Sequence, residues 1–169
     1  MVDIIFINGS PGSGKTTISK LLRKKLKGSP LIELDWLRCY HLNEKWTNAS
    51  KKEEQMSFEN LKFMLKNYVK NGYKNIIVTG FQEFRIKQIS KMFQKYNYVI
   101  ISLIIKDKVE LKNRILGNRD SGFKNFKKSI SWNNNIVKRK DFKNESKIDN
   151  THRNPNKTIN LILNVLEKK

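Results

Sequence analysis

The stretch that decides the fold is Val2–Lys27, which reads VDIIFINGSPGSGKTTISKLLRKKLK. It opens with a continuous apolar run, Val2–Asn8, of the kind found in a strand that is covered on both faces. It closes with a predicted helix over Ser13–Lys27 that stops at Gly28. The apolar residues of this helix recur at helical spacing: Ile18, Leu21, Leu22 and Leu26. A glycine-rich turn separates the strand from the helix.

This turn matches the pattern G-x-x-x-x-G-K-[ST], and its context of strand before and helix after is the required one. The glycines let the backbone turn tightly and point N–H groups at phosphate oxygens, and the helix adds its positive N-terminal end. We expect Lys15 to reach the β- and γ-phosphates and the Thr16 hydroxyl to ligate Mg²⁺. The predicted nucleotide site comprises Gly9, Ser10, Pro11, Gly12, Ser13, Gly14, Lys15, Thr16 and Thr17. A chance match in a Gly/Ser turn is the disfavoured alternative, so the expected ligand is ATP with Mg²⁺.

Length and composition exclude several other classes of protein. The chain has 169 residues, of which 38% are hydrophobic and 30% charged, as in one ordinary globular domain spanning residues 1–169. Its longest apolar runs are far too short to span a bilayer. A lone Cys39 and two histidines cannot form an internal disulfide or an ordinary zinc site. No export signal is recognised, so we expect a cytoplasmic protein without a membrane partner.

The formal net charge is +20, which allows two interpretations. A polyanionic partner such as nucleic acid is one of them. The other is a solvated lysine surface that reflects compositional bias, because lysine supplies 28 of the 35 basic residues and arginine only 7. Nucleic-acid surfaces favour arginine for its bidentate fork, so the solvated surface is the preferred interpretation. No feature of the sequence sets the oligomeric state.

Apolar strand-like runs alternate with helical patterns along the whole chain. Further strands are predicted at Pro30–Asp35, Asn75–Gly80, Tyr98–Ile105 and Lys147–Asp149. Further helices are predicted at Glu53–Asn71, Phe84–Tyr96, Lys108–Leu116 with Asp107 as its cap, Phe126–Arg139, and Pro155–Glu167 with Asn154 as its cap. This alternation predicts an α/β fold with a parallel sheet between layers of helices.

The early phosphate loop and the layout downstream of it resemble the small P-loop kinases of the nucleoside monophosphate kinase-like group. That group includes shikimate kinase, chloramphenicol phosphotransferase and the kinase domain of polynucleotide kinase. The resemblance spans nearly the whole chain, although only the phosphate loop is highly specific. It implies a five-stranded parallel sheet in the order 2-3-1-4-5 and transfer of the γ-phosphoryl group of ATP to an acceptor.

Asp35 is the leading candidate for a catalytic acid–base residue. It is the last residue of the second predicted strand, and in a doubly wound sheet that carboxyl end faces the ligand crevice. A carboxylate there can accept the proton of an attacking hydroxyl or hold Mg²⁺, while the structural alternative is a helix cap. Similar kinases carry an acid here as general base, and polynucleotide kinases pair it with an arginine three residues on, as Arg38 stands here. Thr16 and Asp35 are therefore the predicted metal ligands.

Arg114 and Arg119 resemble the lid arginines of the same kinases, which neutralise charge that develops on the transferred group. The predicted lid covers about residues 114–125, with Gly117 and Gly122 as hinges. The alternative is an ordinary basic helix end.

One departure from the pattern of these kinases concerns the third strand, which ends in Thr79-Gly80 without a Walker B acid. Glu83 follows only after the strand, so it is a second candidate for the metal site.

The acceptor is the least determined feature of the sequence. The predicted substrate-binding residues are Asp35, Trp36, Arg38, Phe81 and Gln82. Their aromatic rings, with Tyr40, His41 and Trp46 nearby, either stack on a ring of the acceptor or belong to the core. The favoured function is a kinase for a small molecule, namely a metabolite, nucleoside or antibiotic. The alternatives are a polynucleotide 5′-hydroxyl kinase and a regulatory ATPase without an acceptor.

Overall fold

The computed structural model describes residues 1–39, 50–117 and 123–169. Its centre is a five-stranded parallel sheet with the order β2-β3-β1-β4-β5, which confirms the predicted fold class and strand order. The strands are β1 (Ile4–Gly9), β2 (Leu31–Glu33), β3 (Ile76–Thr79), β4 (Tyr98–Ile104) and β5 (Glu145–Asp149). The helices are α1 (Lys15–Lys25), α2 (Leu34–Cys39), α3 (Lys51–Lys70), α4 (Arg85–Met92), α5 (Lys108–Leu116), α6 (Phe126–Lys138) and α7 (Pro155–Glu167).

Strand β1 lies in the middle of the sheet, and its apolar residues Ile4–Ile7 are packed into the clusters on both faces. Its first residue, Ile4, pairs with Ile76 on one side and with Tyr98 on the other. All residues of β1, β3 and β4 are buried, whereas the edge strands β2 and β5 are mostly half-buried. Because the strands are parallel, their carboxyl ends all lie at one end of the sheet. The phosphate loop follows β1 at this end, where a ligand site can form.

Each face of the sheet carries its own apolar cluster. One face packs against α3 and α4 through Phe58, Leu61, Leu65, Ile86 and Ile89. The opposite face packs against α1 and α7 through Ile18, Leu22, Ile159 and Ile162. A smaller cluster joins α5 and α6. The result is the three-layer arrangement that the alternating pattern predicts.

Two predicted helices, α5 and α7, have the bounds that the sequence indicates, because both begin at strong caps. The Asp107 carboxylate accepts hydrogen bonds from the Val109 and Glu110 N–H groups, at 2.7 and 3.3 Å. The Asn154 side chain accepts one from the Asn156 N–H group at 2.9 Å, and Pro155 occupies the first turn. Such caps supply acceptors for N–H groups that have no partner within the helix.

The prediction of a strand over Pro30–Asp35 is wrong at its carboxyl end. Strand β2 ends at Glu33, and the chain continues directly into α2 at Leu34. Leu34 and Leu37 are both buried and lie three residues apart. This spacing places both side chains on one face of a helix, whereas in a strand they would point to opposite faces. Asp35 therefore stands in the first turn of a helix, where a negative charge is favourable.

In the described residues, no helix is long and apolar enough to cross a membrane.

Candidate phosphate-binding site

The phosphate loop adopts a conformation that requires its glycines. Gly9 and Gly14 have φ angles of 148° and 97°, which side chains disfavour. A Cβ atom on Gly9 would lie 2.7 Å from the Leu103 carbonyl oxygen, and one on Gly14 would lie 2.8 Å from Nδ2 of Asn150. Leu103 and Asn150 thus lie close against the backbone of the loop, and a side chain at either glycine would collide with them.

Lys15 and the first turn of α1 form the positive part of this loop. The Lys15 Nζ atom donates to the carbonyl oxygens of Gly9 and Ser10, at 2.8 and 3.0 Å, and so lies across the loop. Helix α1 begins after Gly14 without a side-chain cap, so its first N–H groups are available to an anion. Thr16 and Thr17 are exposed at this helix end. The arrangement fits a bound phosphate group.

Two segments from far along the chain brace the loop. The Asn150 amide donates to the Ser13 carbonyl oxygen at 2.9 Å, and Asn150 in turn accepts from the Thr158 hydroxyl at 2.5 Å. From α6, the Ser129 hydroxyl donates to the Pro11 carbonyl oxygen at 2.6 Å. These contacts are not predictable from the sequence, because single serine and asparagine residues more than a hundred positions away carry no local signal.

Asp35 lies beside the carboxyl end of β3. A Cβ atom on Gly80 would lie 2.9 Å from Oδ2 of Asp35, and the φ angle of Gly80 is 82°. Arg38 donates from Nη1 to the other carboxylate oxygen at 3.0 Å, and its Nη2 atom pairs with Glu54 of α3 at 2.6 Å. Arg38 thus connects the Asp35 carboxylate to α3, and the carboxylate keeps 44% of its surface exposed to the crevice.

The electrostatic surroundings of Asp35 favour a proton acceptor. Burial by the surrounding protein raises the pKa of Asp35, and the positive charges of Arg38 and Lys15 offset this only in part. A carboxylate with a raised pKa is a stronger base toward an attacking hydroxyl than an ordinary surface aspartate.

The other predicted substrate-binding residues differ in their surroundings. Trp36 projects from α2 with 61% of its surface exposed. Phe81 is 3% exposed and packs edge-on against Phe6, with ring centroids 6.0 Å apart. Its ring is part of the core, which corrects the expectation that it contacts an acceptor. Gln82 is half-buried at the start of the turn into α4, where its carbonyl oxygen accepts from the Arg85 N–H group at 2.9 Å.

Only part of the predicted lid lies in the described residues. Arg114 pairs with Glu110 at 2.8 Å and donates to the Asn150 carbonyl oxygen at 3.0 Å. It is therefore held beside the segment that braces the phosphate loop. Arg119 and Gly122 lie outside the described residues, as do Tyr40, His41 and Trp46. The lid over residues 114–125 stays a prediction.

Glu83 belongs to a polar network that joins the turn after β3 to Asn8 of β1, Ser102 of β4 and Glu145, the first residue of β5. It accepts from the Asn8 amide at 2.6 Å and from Arg139 at 2.5 Å. Arg139 also donates two bonds to Glu145, at 2.6 and 2.7 Å, and the Ser102 hydroxyl bonds to the same carboxylate. Burial acts to raise the pKa of Glu145, but the bonds from Arg139 and Ser102 hold it below its usual value. Glu83 is thus engaged by an arginine, which weakens it as a candidate metal ligand.

The metal prediction rests on few protein ligands. Within the described ranges, no three histidine, cysteine, aspartate or glutamate residues are grouped so that they could hold a metal ion. The oxygen atoms of Thr16 and Asp35 are exposed on the crevice side of the sheet. Mg²⁺ usually keeps several waters and binds one or two protein oxygens together with substrate phosphates. The residues present fit an ion of that kind.

Comparison with solved structures gives the same fold repeatedly. A sugar kinase from Janibacter sp. superimposes with a TM-score of 0.70 at 16% identity, over 99% of this chain and 95% of its own. Shikimate kinase from Aquifex aeolicus does so with a TM-score of 0.62 at 19% identity, over 98% and 96% of the two chains. A chain of an RNA repair complex has a TM-score of 0.65 at 15% identity, over 83% of this chain and 47% of its own. No curated protein matches the sequence significantly.

The sheet order, the phosphate loop and these neighbours define the class of protein: the fold is that of the small P-loop kinases, as the resemblance implies. The sequence itself matches the AAA domain family over residues 5–129. The chain belongs to that family.

Proposed function

We propose that this protein is an ATP-dependent kinase that transfers the γ-phosphoryl group to a hydroxyl of a small molecule. The observation that carries the proposal is the placement of the Asp35 carboxylate beside Gly80, within electrostatic influence of Lys15. A phosphate cradle and a base with a raised pKa on one edge of the sheet are the two parts that phosphoryl transfer to a hydroxyl requires.

In this reaction the chain binds and orients, and Asp35 moves one proton. The acceptor oxygen forms a bond to the γ-phosphorus while the bond from that phosphorus to the β–γ bridging oxygen breaks, so ADP leaves. The Asp35 carboxylate accepts the proton of the acceptor hydroxyl. Lys15 moves from the carbonyl oxygens of its own loop to the phosphates. Thr16 and Asp35, with waters, would hold Mg²⁺, which would supply positive charge against the phosphates.

The test is a phosphoryl-transfer assay with γ-labelled ATP, Mg²⁺ and a panel of sugars, shikimate, nucleosides and chloramphenicol. Asp35→Asn should retain ATP binding, because the phosphate loop is intact, and lose transfer by about 100-fold or more, because the proton acceptor and predicted Mg²⁺ ligand is removed. Lys15→Ala should lose both. Asp141→Asn is the matched control, because this carboxylate is 54% exposed and pairs with Lys147 away from the loop.

Full activity in Asp35→Asn would overturn the assignment of Asp35. Labelled inorganic phosphate that forms at the same rate with and without every acceptor would instead indicate a regulatory ATPase.

A second candidate function is a polynucleotide 5′-hydroxyl kinase. It is favoured by the direct contact of Arg38 with Asp35 at 3.0 Å, the pairing that the resemblance associates with that activity. One structural neighbour, moreover, is a chain of an RNA repair complex. Here Arg38 would hold both the base and the acceptor phosphate, since its guanidinium has donors on two edges.

The two candidates are separated by a labelling experiment with a 5′-hydroxyl oligonucleotide and the same oligonucleotide already phosphorylated at its 5′ end. Lys15-dependent labelling of the first substrate and not the second supports the polynucleotide kinase. Absence of label on both, with ATP still bound, assigns the acceptor to the small molecules of the panel.

A further inference from the structure

A groove outside the phosphate-binding site runs along the free edge of the sheet. It has a volume of about 640 Å³ and lies beside strand β2, between α1 on one side and α2 and α3 on the other. This volume falls within the usual range of ligand pockets. Its lining includes Trp36, next in sequence to Asp35, as well as Lys24 of α1 and Tyr68 of α3.

The wall formed by α1 is cationic. Lys20, Arg23 and Lys24 line the groove from this helix, and all three are exposed. Glu33 is the acidic residue among the residues that line it. The excess of positive charge in one concave surface attracts a polyanion, and the walls of the groove keep the field lines concentrated there.

The opposite wall presents aromatic and apolar side chains. Trp36 is 61% exposed, so its indole is accessible to a ligand in the groove. Farther along, Tyr68 is fixed by an edge-on contact with Tyr73, at a centroid distance of 5.2 Å, and Met64 lies beside it. Cations along one wall and aromatic rings along the other are the elements of a single-strand nucleic-acid groove.

We propose that this groove, lined by Lys20, Arg23, Lys24 and Trp36, binds single-stranded nucleic acid. The inference rests on the second candidate function above, which it deepens by giving the acceptor strand a path. The 5′-terminal hydroxyl lies at Asp35, the adjoining base stacks on Trp36, and the following phosphates contact the cations of α1.

The free edge of β2 argues against an extended peptide as the occupant. The strand pairs with β3 over only three residues, Leu31–Glu33, so it offers a very short template for strand addition. Lysine and arginine side chains beside an edge are, in addition, a common way of discouraging pairing with another chain. The same cations favour a phosphodiester backbone.

The experiment measures binding in the absence of ATP, so that its outcome is independent of phosphoryl transfer. The probe is a short 5′-hydroxyl oligothymidylate with a 3′-fluorescein, followed by fluorescence anisotropy over a series of salt concentrations. The test variant is Lys20→Ala/Arg23→Ala/Lys24→Ala in the full chain. The matched control is Lys87→Ala/Lys91→Ala/Lys95→Ala, which removes three exposed cations from the region of α4.

We expect the groove variant to weaken binding by about tenfold or more and to lower the salt slope by about 2, which corresponds to three lost contacts with phosphates of a single strand. The α4 control should change both quantities much less. Trp36→Ala should weaken binding by about tenfold, and Trp36→Phe should restore most of it, because a phenyl ring still stacks. Circular dichroism confirms that each variant is folded.

Equal losses in the groove variant and the α4 control would overturn the proposal, because the protein would then bind through its overall charge. Failure of the wild-type protein to bind the probe would overturn it as well. In that case, binding of fluorescent polyglutamate that is lost in the groove variant would assign the groove to an acidic peptide. Oligonucleotide binding without phosphorylation would leave the groove assignment intact and contradict only the polynucleotide kinase.

Discussion

Gly80 is the residue on which the position of Asp35 depends most directly. Its φ angle of 82° disfavours any side chain, and a Cβ atom would lie 3.1 Å from the Asp35 nitrogen as well as against the carboxylate. The close approach of β3 and α2 at this point sets the distance between the base and the phosphate loop. A methyl group here disturbs both the backbone and the site.

We therefore expect Gly80→Ala to lower kcat at least tenfold and the free energy of unfolding by about 1 kcal/mol, the cost of a left-handed alanine. Gly72→Ala is the matched control. Gly72 has the same φ angle of 82°, and nothing lies within 4 Å of its Cβ position. It should lose similar stability and retain activity, as urea unfolding and the transfer assay would show. Equal activity in the two variants would contradict the prediction.

The raised pKa of Asp35 predicts a particular pH dependence of the reaction. Asp35 accepts a proton only when ionised, so kcat/KM should fall as the pH drops through a pKa that lies above the ordinary value of an aspartate. The measurement is kcat/KM against pH for the wild type and for Asp35→Glu. An acid limb at or below the ordinary aspartate pKa would contradict the assignment.

The raised pKa of Asp35 also affects stability, and here the dependence on pH is the reverse of that of activity. Since folding favours the protonated form of Asp35, this contribution is full at low pH and is lost as the pH rises through the raised pKa. Asp35→Asn keeps the side chain neutral at every pH. It should therefore improve stability relative to the wild type more at neutral pH than in acid, as measured by urea unfolding at both.

At the scale of elements, Arg139 connects the end of α6 to the turn after β3 and to strand β5. It bonds to Glu83 after β3 and to Glu145 on β5, and the Glu145 side chain has no exposed surface. Its guanidinium also lies 4.3 Å from the Phe142 ring centroid. Removal of Arg139 leaves a buried carboxylate without its cation.

We expect Arg139→Ala to lower the free energy of unfolding by about 3 kcal/mol, because breaking a buried ion pair leaves an uncompensated charge. Arg153→Ala serves as the control, since Arg153 Nε donates to the Asp149 carbonyl oxygen at 2.8 Å and no carboxylate depends on it. Urea denaturation measures both. A loss in Arg139→Ala no larger than that in the control would show that the network contributes little.

The bounds of the elements show what the sequence can and cannot predict. Helices α5 and α7 are predictable because their caps are local and strong. The sequence does not indicate the first residues of β5, because glutamate is typical of a surface, and the buried Glu145 carboxylate is instead satisfied by Arg139, Ser102 and the Phe142 N–H group. The phosphate loop was likewise readable as a motif, whereas its braces, Ser129 and Asn150, depend on how distant segments meet.

At the scale of the whole molecule, the net charge of +20 is the dominant feature. Repulsion between so many positive charges opposes the compact state, and salt screens it. We expect Tm to rise as sodium chloride increases from low to physiological concentration. A variant with Lys87→Glu, Lys91→Glu and Lys95→Glu should show a weaker dependence. A Tm that falls with salt would indicate that ion pairs, such as those of Arg139, outweigh the repulsion.

The strand order has a consequence for the way in which the chain is made. Strand β1 is synthesised before every other strand, yet it pairs with β3 through Ile76 and with β4 through Tyr98. On the ribosome its apolar residues therefore emerge with no strand beside them, and both neighbours must be translated before the sheet can close around it. The first of these five strands to be translated therefore has both of its neighbours only after β4 has been made, and the phosphate loop attached to it takes shape only then.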